Sequence, residues 1–582
     1  MNTKFDPLNY YGEWPGHKYY PSPNDWREES FYQFITDRFG DGNPSNNEGR
    51  YGGYDLGKVD YRHGGDYVGI KNKLDYIKAL GYTTIWVSPV FQNQFNSYHA
   101  YAQVDFTVLD DRFGTLEEFR DMVNEAHKRG IKVIVDIVAN HMANLLYFEG
   151  HEHDGAPFRL HDGEYHLYPR DPNNVYQDFL VNNTFFNDGQ YCTLYGYDGL
   201  PKHDTGKGSY WYSDFHHNGD LSDYGDVYQN HLGKIYGIMD DLRTTHPRVQ
   251  DKIIAMTKSL IASVDIDGIR MDTPMQVPLE FFQRWAPAVK NYAKKLGKDN
   301  FYIVGEFFCP KERSSTMTGR GKSPNMYGKD QYIGKVATMD AGINYPIYWW
   351  FETAIKKSDT KTLSGIKDSF DDDLIKYDWA NPNRNNQPQY RHLNFYNNHD
   401  QFRMSTIDDG FQRSDLSSAI ISLFPGIPSF YYGDEQGFKT MGTALDGWGR
   451  EDMSTSLAWK DLPTVEGRNP CETDNFDYCH SQFKWNAKLM NLRRLYKNLR
   501  SCDQVLERWR QSQNGNGIYA FSRSCGAADQ HVLVVWNTWR ETLEAGGSIG
   551  KFITGWNQGD TIVNVLSDDM KESYDLPGAR DR

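Results

Sequence analysis

The stretch FGTLEEFRDMVNEAHKRGIKVIVDIVANH, residues 113–141, writes out one helix and one strand, and that unit constrains the fold more than anything else in the chain. Thr115 with Glu118 forms a capping box that starts the helix. Leu116, Phe119, Met122, Val123 and Ala126 then fall on one apolar stripe. Lys128 and Arg129 suit the negative end of the helix dipole, and Gly130 stops it. The run IKVIVDIV (131–138) is apolar on both parities, as a strand covered on both faces of a parallel sheet must be.

The same grammar recurs. KLDYIKALG (73–81) leads into TTIWVSPV (83–90), and VQDKIIAMTKSLIASV (249–264) leads into DIDGIRMD (265–272). Further apolar runs are FYQFI (31–35), FYIVGE (301–306), HLNFY (392–396) and IPSFYY (427–432), with a weaker one at VATMDA (336–341). Eight strands alternating with helices predict an α/β fold, a closed (β/α)8 TIM barrel rather than an open sheet.

Two regions break the rhythm. Residues 146–238 are rich in Gly, Asp, His and Tyr and too long for an ordinary connection, which predicts an inserted subdomain after strand three. Beyond the helix at 481–499 the period drops to two, in GIYAFSRS (517–524), HVLVVWNTW (531–539) and DTIVNVLS (560–567), predicting a C-terminal antiparallel β-domain. The division is therefore 1–145 and 239–500 for the barrel, 146–238 for the insert and 501–582 for the β-domain, with a frayed tail at ESYDLPGARDR.

With 582 residues, a single core is not expected. A net charge of −15, spread along the chain, argues against nucleic acid or an anionic membrane as partner. No apolar stretch approaches the roughly 18 residues of a membrane span. The first residues, MNTKFDPLNYYGEW, carry no basic-then-apolar leader pattern. Six cysteines leave the pairing open: Cys471–Cys479 and Cys502–Cys525 are local bridges that compete with free buried thiols, and Cys192 and Cys309 complete the set. Asn182 begins a glycosylation sequon, a pattern too common to decide a compartment.

Chemistry collects at the strand ends. DIVANH (136–141), GIRMD (268–272), GE (305–306) and NNHD (397–400) each close an apolar run. They place Asp272, Glu306 and Asp400 with Arg270, His141 and His399 at the end of the barrel where active sites are built. Paired carboxylates there suit cleavage of a glycosidic bond. Arg270, two residues before Asp272 on the same strand face, would hold that carboxylate ionised, while repulsion between carboxylates would raise the pKa of Glu306. Taken singly, Asp136 with Arg270 reads as a structural ion pair and each histidine as a core residue.

These four segments resemble the signature regions of glycoside hydrolase family 13, the α-amylase family, over roughly residues 30–480. GIPSFYYGDE (426–435) is similar to that family's eighth-strand segment, and YHAY (98–101) to its turn after strand two. The resemblance implies a retaining enzyme with Asp272 as nucleophile, Glu306 as general acid/base and Asp400 gripping sugar hydroxyls. His141 and His399 would hydrogen-bond sugar hydroxyls, Asp136 and Arg270 would belong to the substrate-binding set, and Tyr101 would stack on a sugar ring or serve the core. DRFGDGNPSNN (37–47) with HGGD (63–66) resembles the family's calcium loop. Asp41, Asn43, Asn46, Asn47, the Gly64 carbonyl and Asp66 would then bind Ca²⁺, the alternative being metal-free Asx-turns. Asn140 with Asp241 suggests a second, weaker site.

One departure stands out: the Lys-His pair that follows the nucleophile in many α-amylases is Met275-Gln276 here. Acceptor-side binding must differ, and Phe307 beside the acid adds to that. DPLNYYGEW (6–14), YPSPNDW (20–26), VDIDGIRMDTPMQV (264–277), GKDNFYIVGE (297–306) and GRG (319–321) resemble the amylase-like domain of fungal cell-wall α-1,3-glucan synthases, which are far longer proteins. The expectation is a calcium-dependent, monomeric, extracellular or cell-wall-associated enzyme cleaving α-1,4 bonds of α-glucans or malto-oligosaccharides. Transfer to a sugar instead of water is the alternative, and a catalytically silent sugar-binding scaffold the minor one.

Overall fold

A parallel sheet of eight strands closes on itself through one narrow seam. The computed structural model describes residues 12–49, 51–161, 164–169, 214–310, 338–352, 391–407, 411–440, 449–454, 474–502, 504–513, 516–525, 532–537, 561–567 and 573–575, with residue 355 and short pieces between 313 and 332. In chain order the barrel strands are β1 (Phe31–Gln33), β2 (Thr84–Val87), β3 (Lys132–Val138), β4 (Gly268–Asp272), β5 (Tyr302–Gly305), β6 (Ala341–Gly342), β7 (Leu393–Asn394) and β8 (Ile427–Tyr431). Each pairs in parallel with its sequential neighbour from β1 to β6 and from β7 to β8, and β8 returns to β1. Between β6 and β7 one parallel bridge, Ile343 to Leu393, completes the ring.

Strand parity sorts side chains into two cores. Trp86 of β2, Ile134 of β3, Tyr302 and Val304 of β5 and Ile427 of β8 join the cluster that fills the barrel. Their neighbours Ile85, Val87, Val133, Val135, Ile137, Ile269, Met271 and Ile303 belong to the cluster packed under the helices. This is the period of two that a sheet imposes, and each fully buried aliphatic or aromatic side chain contributes roughly 1.5–3 kcal/mol.

The helices follow the sequence closely. They include α1 (Leu74–Leu80), α2 (Leu116–Lys128), α3 (Pro247–Val264), α4 (Leu279–Lys295), α5 (Gln412–Leu423) and α6 (Ser481–Leu495). In α2 both halves of the Thr115–Glu118 capping box form, and the chain leaves the helix through Gly130 at φ +77°. Of the sixth strand expected over 336–341, residues 336 and 337 lie outside the described residues; registered pairing is at Ala341 and Gly342, and the Asp340 carboxylate accepts the Ile303 amide and pairs with Lys290.

Of the insert, the described residues show a hairpin of Leu146–Phe148 with Leu167–Pro169 and a short helix, Val227–Leu232. Beyond α6, β9 (Gln504–Gln513), β10 (Asn516–Ser524) and β11 (Val532–Asn537) form an antiparallel sheet. β9 is a strand that polar QVLERWRQSQ does not advertise. Of the tail expected to fray, Ser573–Asp575 pair antiparallel to Thr561–Val563, and the rest lies outside the described residues. Phe521 and Trp536 of this sheet pack on Phe424 of the barrel.

Cys502 and Cys525 form a disulfide that ties the approach to β9 to the end of β10. Cys471 and Cys192, and the sequon at Asn182, lie outside the described residues. The bridge closes 23 residues of chain. Cys525→Ser should therefore cost about 2–4 kcal/mol, read as a lower urea midpoint for the transition that includes the C-terminal sheet.

Candidate active site

The interior rows of β3, β4 and β5 carry the site. On β4 the parity that sends Ile269 and Met271 outward leaves Gly268, Arg270 and Asp272 facing the barrel axis. In the register, Arg270 lies beside Asp136 of β3, and Met271 beside Gly305, so Glu306 emerges one step above β5.

Arg270 is the hub, with 0% of its surface exposed. Its NH1 group donates to both Asp136 oxygens at 3.0 and 2.8 Å and to Asp272 Oδ1 at 2.7 Å. Its NH2 group pairs with Glu306 Oε2 at 2.6 Å. One planar guanidinium thus holds Asp272 and Glu306 as neighbours, the arrangement that suits a retaining pair separated by about 5–5.5 Å. Burial pushes Asp272 and Glu306 above the usual carboxylate range, against the pull of Arg270. Loss of water is therefore the main cause of the raised Glu306, ahead of repulsion from Asp272, and Arg270 does not bring Asp272 down to its ordinary value.

Asp400 behaves oppositely. Burial pushes it up, but His399 and Arg450 more than offset this and hold it below its ordinary range. His399 Nε2 lies 3.0 Å from Asp400 Oδ2, and Arg450 NH2 donates to Asp400 Oδ1 at 2.9 Å. Arg450 also donates to the His399 carbonyl at 2.9 Å and to the Tyr98 hydroxyl at 3.0 Å. The Asp400 side chain keeps 26% of its surface open, against 8% for Asp272 and 11% for Glu306.

The other residues proposed from sequence lie around this hub. Asp136 is fully buried and its carboxylate is occupied by Arg270, Tyr101 and Trp86, so it holds Arg270 in place beneath the two carboxylates. His399 hydrogen-bonds Gln33 at 2.6 Å through Nδ1 and faces Asp400 through Nε2, which makes it a support for Asp400. Tyr101 donates to Asp136 at 2.8 Å, and its ring lies parallel to His399 with centroids 5.4 Å apart. Burial lowers the pKa of His141 to about 4, and its Nε2 has no hydrogen-bond partner in the structure.

Phe307 is a correction. It is 0% exposed and fills the space left by two glycines: a Cβ on Gly305 or Gly342 would lie 2.4 or 2.1 Å from its ring. The aromatic residue that faces outward is Phe308, 60% exposed and edge-on to Tyr345 at 4.9 Å. Tyr345 in turn donates to Glu306 Oε1 at 3.2 Å. Met275 packs partly buried on the outer core, and Gln276 reaches Asn230 of the insert at 3.4 Å. Gln33, Trp86, Phe308, Tyr345 and Arg450 are the residues that sequence reasoning missed; interior parity on β1 and β2 points to the first two.

The candidate cation loop passes a test on its own atoms. Asp41 Oδ1, Asn46 Oδ1 and Asn47 Oδ1 are buried with no hydrogen-bond partner, an orphaned oxygen set that suits a hard cation. Gly64, at φ +89°, lets the Asn47 amide approach; a Cβ there would stand 2.6 Å from Asn47 Oδ1. Burial raises Asp66 to about 6 and also raises Asp41, a cost that a divalent ion would relieve. Asn43 and Asp66 are the exceptions: the Asn43 side chain is taken up by Ser45 in a turn and by Glu118, and the Asp66 oxygens accept from the Gly42, Asn43 and Gly69 amides and from Asn46 Nδ2. The set holds only two carboxylates, and among the described residues no cluster of three His, Cys, Asp or Glu side chains fit for a metal occurs. The Asn140–Asp241 pair does not fit a cation. Asn140 Nδ2 donates to Asp241 Oδ1 at 2.8 Å and to the Gln276 carbonyl, while His216 Nδ1 sits 2.5 Å from Asp241 Oδ2.

Known proteins share the sequence family and the fold of this chain. The family described as "Alpha amylase, catalytic domain" matches residues 33–505. A cell wall α-1,3-glucan synthase of Schizosaccharomyces pombe, mok13, is 30% identical over 85% of this chain, which spans 23% of that protein. An α-amylase of Streptomyces lividans is 28% identical over 89% of this chain and 56% of its own length. Among solved structures, an Anoxybacillus α-amylase shares the fold with a TM-score of 0.64 at 24% identity, covering 96% of this chain and 97% of its own.

The grip on Asp400 generates a test. Arg450→Met should lower kcat about 10²-fold, because a misplaced positioning group affects the transition state most. Arg450→Lys should recover only part, since an ammonium cannot serve three acceptors as a planar fork does.

Proposed function

This chain belongs to the α-amylase family, and on that footing we propose that it cleaves α-1,4-glucosidic bonds with net retention at the anomeric carbon. Asp272 attacks that carbon while Glu306 gives its proton to the departing sugar oxygen. The glycosyl-enzyme then yields when an acceptor hydroxyl forms its bond to the same carbon, passes its proton to Glu306 and releases Asp272. Asp400, held ionised by His399 and Arg450, binds hydroxyls of the sugar at the cleavage point and strains its ring. The observation that carries this reading is the double grip of Arg270 on Asp272 and Glu306.

Raised Glu306 suits a group that must hold a proton before the first step. Glu306→Gln should lower kcat about 10²–10⁴-fold on maltoheptaose. A normal rate in Asp272→Ala would remove the proposed nucleophile.

Transfer to a sugar acceptor is the second reading, favoured by Phe308. Its exposed ring next to Tyr345 and Glu306 offers an apolar face to an incoming pyranose. Products longer than maltoheptaose would establish transfer, and glucose or short oligosaccharides alone would establish hydrolysis. The synthase relatives support a place in α-glucan metabolism of a cell wall. Among the described residues no helix is long and apolar enough to cross a membrane.

We also propose that Asp41, Asn46, Asn47 and Asp66 hold a calcium ion that locks the 41–66 loop. Chelation should lower the melting temperature, and calcium should restore it, because a ligand bound by the folded state alone stabilises that state. Asn47→Leu should abolish the response to chelator.

A further inference from the structure

Thr273, next in the chain after Asp272, has an unusual backbone. It stands at φ +40° and ψ +44°, one of five non-glycine residues at positive φ among those described. For a β-branched residue this is a true outlier, and Pro274 immediately after it restricts the backbone further. Such conformations persist where the surroundings enforce them, most often at functional sites.

The twist brings Thr273 against both central carboxylates. Its hydroxyl donates to Asp272 Oδ2 at 3.2 Å, and its amide points at Glu306 Oε2 from 3.5 Å. The other Asp272 oxygen, Oδ1, is held by Arg270 at 2.7 Å. Arg270 is buried and pinned by Asp136, so Oδ1 is the anchored oxygen and Oδ2 the one left to form a bond with carbon. The Thr273 hydroxyl is the donor on that reacting oxygen.

We propose that Thr273 is a further catalytic residue that speeds breakdown of the glycosyl-enzyme. This rests on the double-displacement reading given above. In the second half-reaction the acceptor oxygen bonds to the anomeric carbon, its proton moves to Glu306, and the electron pair of the C–Oδ2 bond returns to Asp272. Negative charge grows on Oδ2 during that step, and a hydroxyl already aimed at it stabilises the leaving carboxylate. In the forward direction the same hydrogen bond makes Oδ2 a weaker nucleophile. Its net effect is to shorten the life of the covalent intermediate, and with it the time available to compete for acceptors.

Three variants separate hydroxyl from backbone: Thr273→Val keeps the shape without the hydroxyl, Thr273→Ser keeps the hydroxyl, and Thr273→Gly releases the strained backbone. With 4-nitrophenyl α-maltoside under rapid mixing, Thr273→Val and Thr273→Gly should show a burst of nitrophenolate followed by a steady rate lowered roughly tenfold, the size of one hydrogen bond to a charged oxygen. Thr273→Ser should behave as the parent does. Equal kinetics for Val and Ser, or parent-like kinetics for Gly, would overturn the proposal while leaving Asp272 as nucleophile. Mass spectrometry of the parent after a fluorinated glucosyl fluoride tests the premise separately: absence of an adduct on the Asp272 peptide would remove both readings.

Discussion

One guanidinium carries the electrostatics of the cleft. Arg270 sits out of water among Asp136, Asp272 and Glu306, and over the face of Trp86 with 5.1 Å to the ring centroid. A buried cation and three buried carboxylates are each costly alone, and they persist because every charge has partners of opposite sign at hydrogen-bond distance. The same contacts fix geometry. Asp136 sets the height of Arg270, and Arg270 sets the spacing of the two carboxylates above it. Removing Asp136 would therefore disturb chemistry it never touches.

Asp400 reaches its place by a different route. The segment Gly449–Met453 runs between the 41–66 loop and the cleft. Asp452 accepts from His63 at 2.7 Å, Met453 donates to the Arg38 carbonyl at 2.9 Å, and Arg450 holds Asp400 and the His399 carbonyl. Arg38 and His63 flank the loop that carries Asp41, Asn46 and Asn47, and Asp37 at its base accepts from the His63 amide. Order in that loop and the position of the third carboxylate thus share one buried network, although the two ends lie far apart in sequence.

The barrel was legible because parity and capping are local. The run of β3 reveals a doubly covered strand, the Thr115–Glu118 box marks a helix start, and residues 270 and 272 must share a face once β4 is a strand. What escaped reading depends on contacts between distant segments. Phe307 and Phe308 look alike in sequence, and only the facing of Gly305 with Gly342 decides which ring is buried. Arg450 lies in a stretch without periodicity, so nothing local ties it to Asp400. The Asn140–Asp241 pair resembles an ion site until His216, from the insert, arrives against the same carboxylate. β9 shows no clean alternation, with Val505 and Leu506 adjacent among polar residues, and it pairs as a strand with β10.

The ring of strands is joined unevenly. Every other neighbour shares at least two registered pairs, whereas among the described residues β6 meets β7 through one bridge, the Asn344–Asn394 side-chain bond and the Gly342 amide donating to His392. Glu306 and Asp400 leave the barrel on opposite flanks of that junction, while Asp272, Arg270 and Asp136 stand together on the well-stitched side. Any outward give in the wall would therefore alter the spacing of Glu306 and Asp400 before it reached the set of Asp136, Arg270 and Asp272.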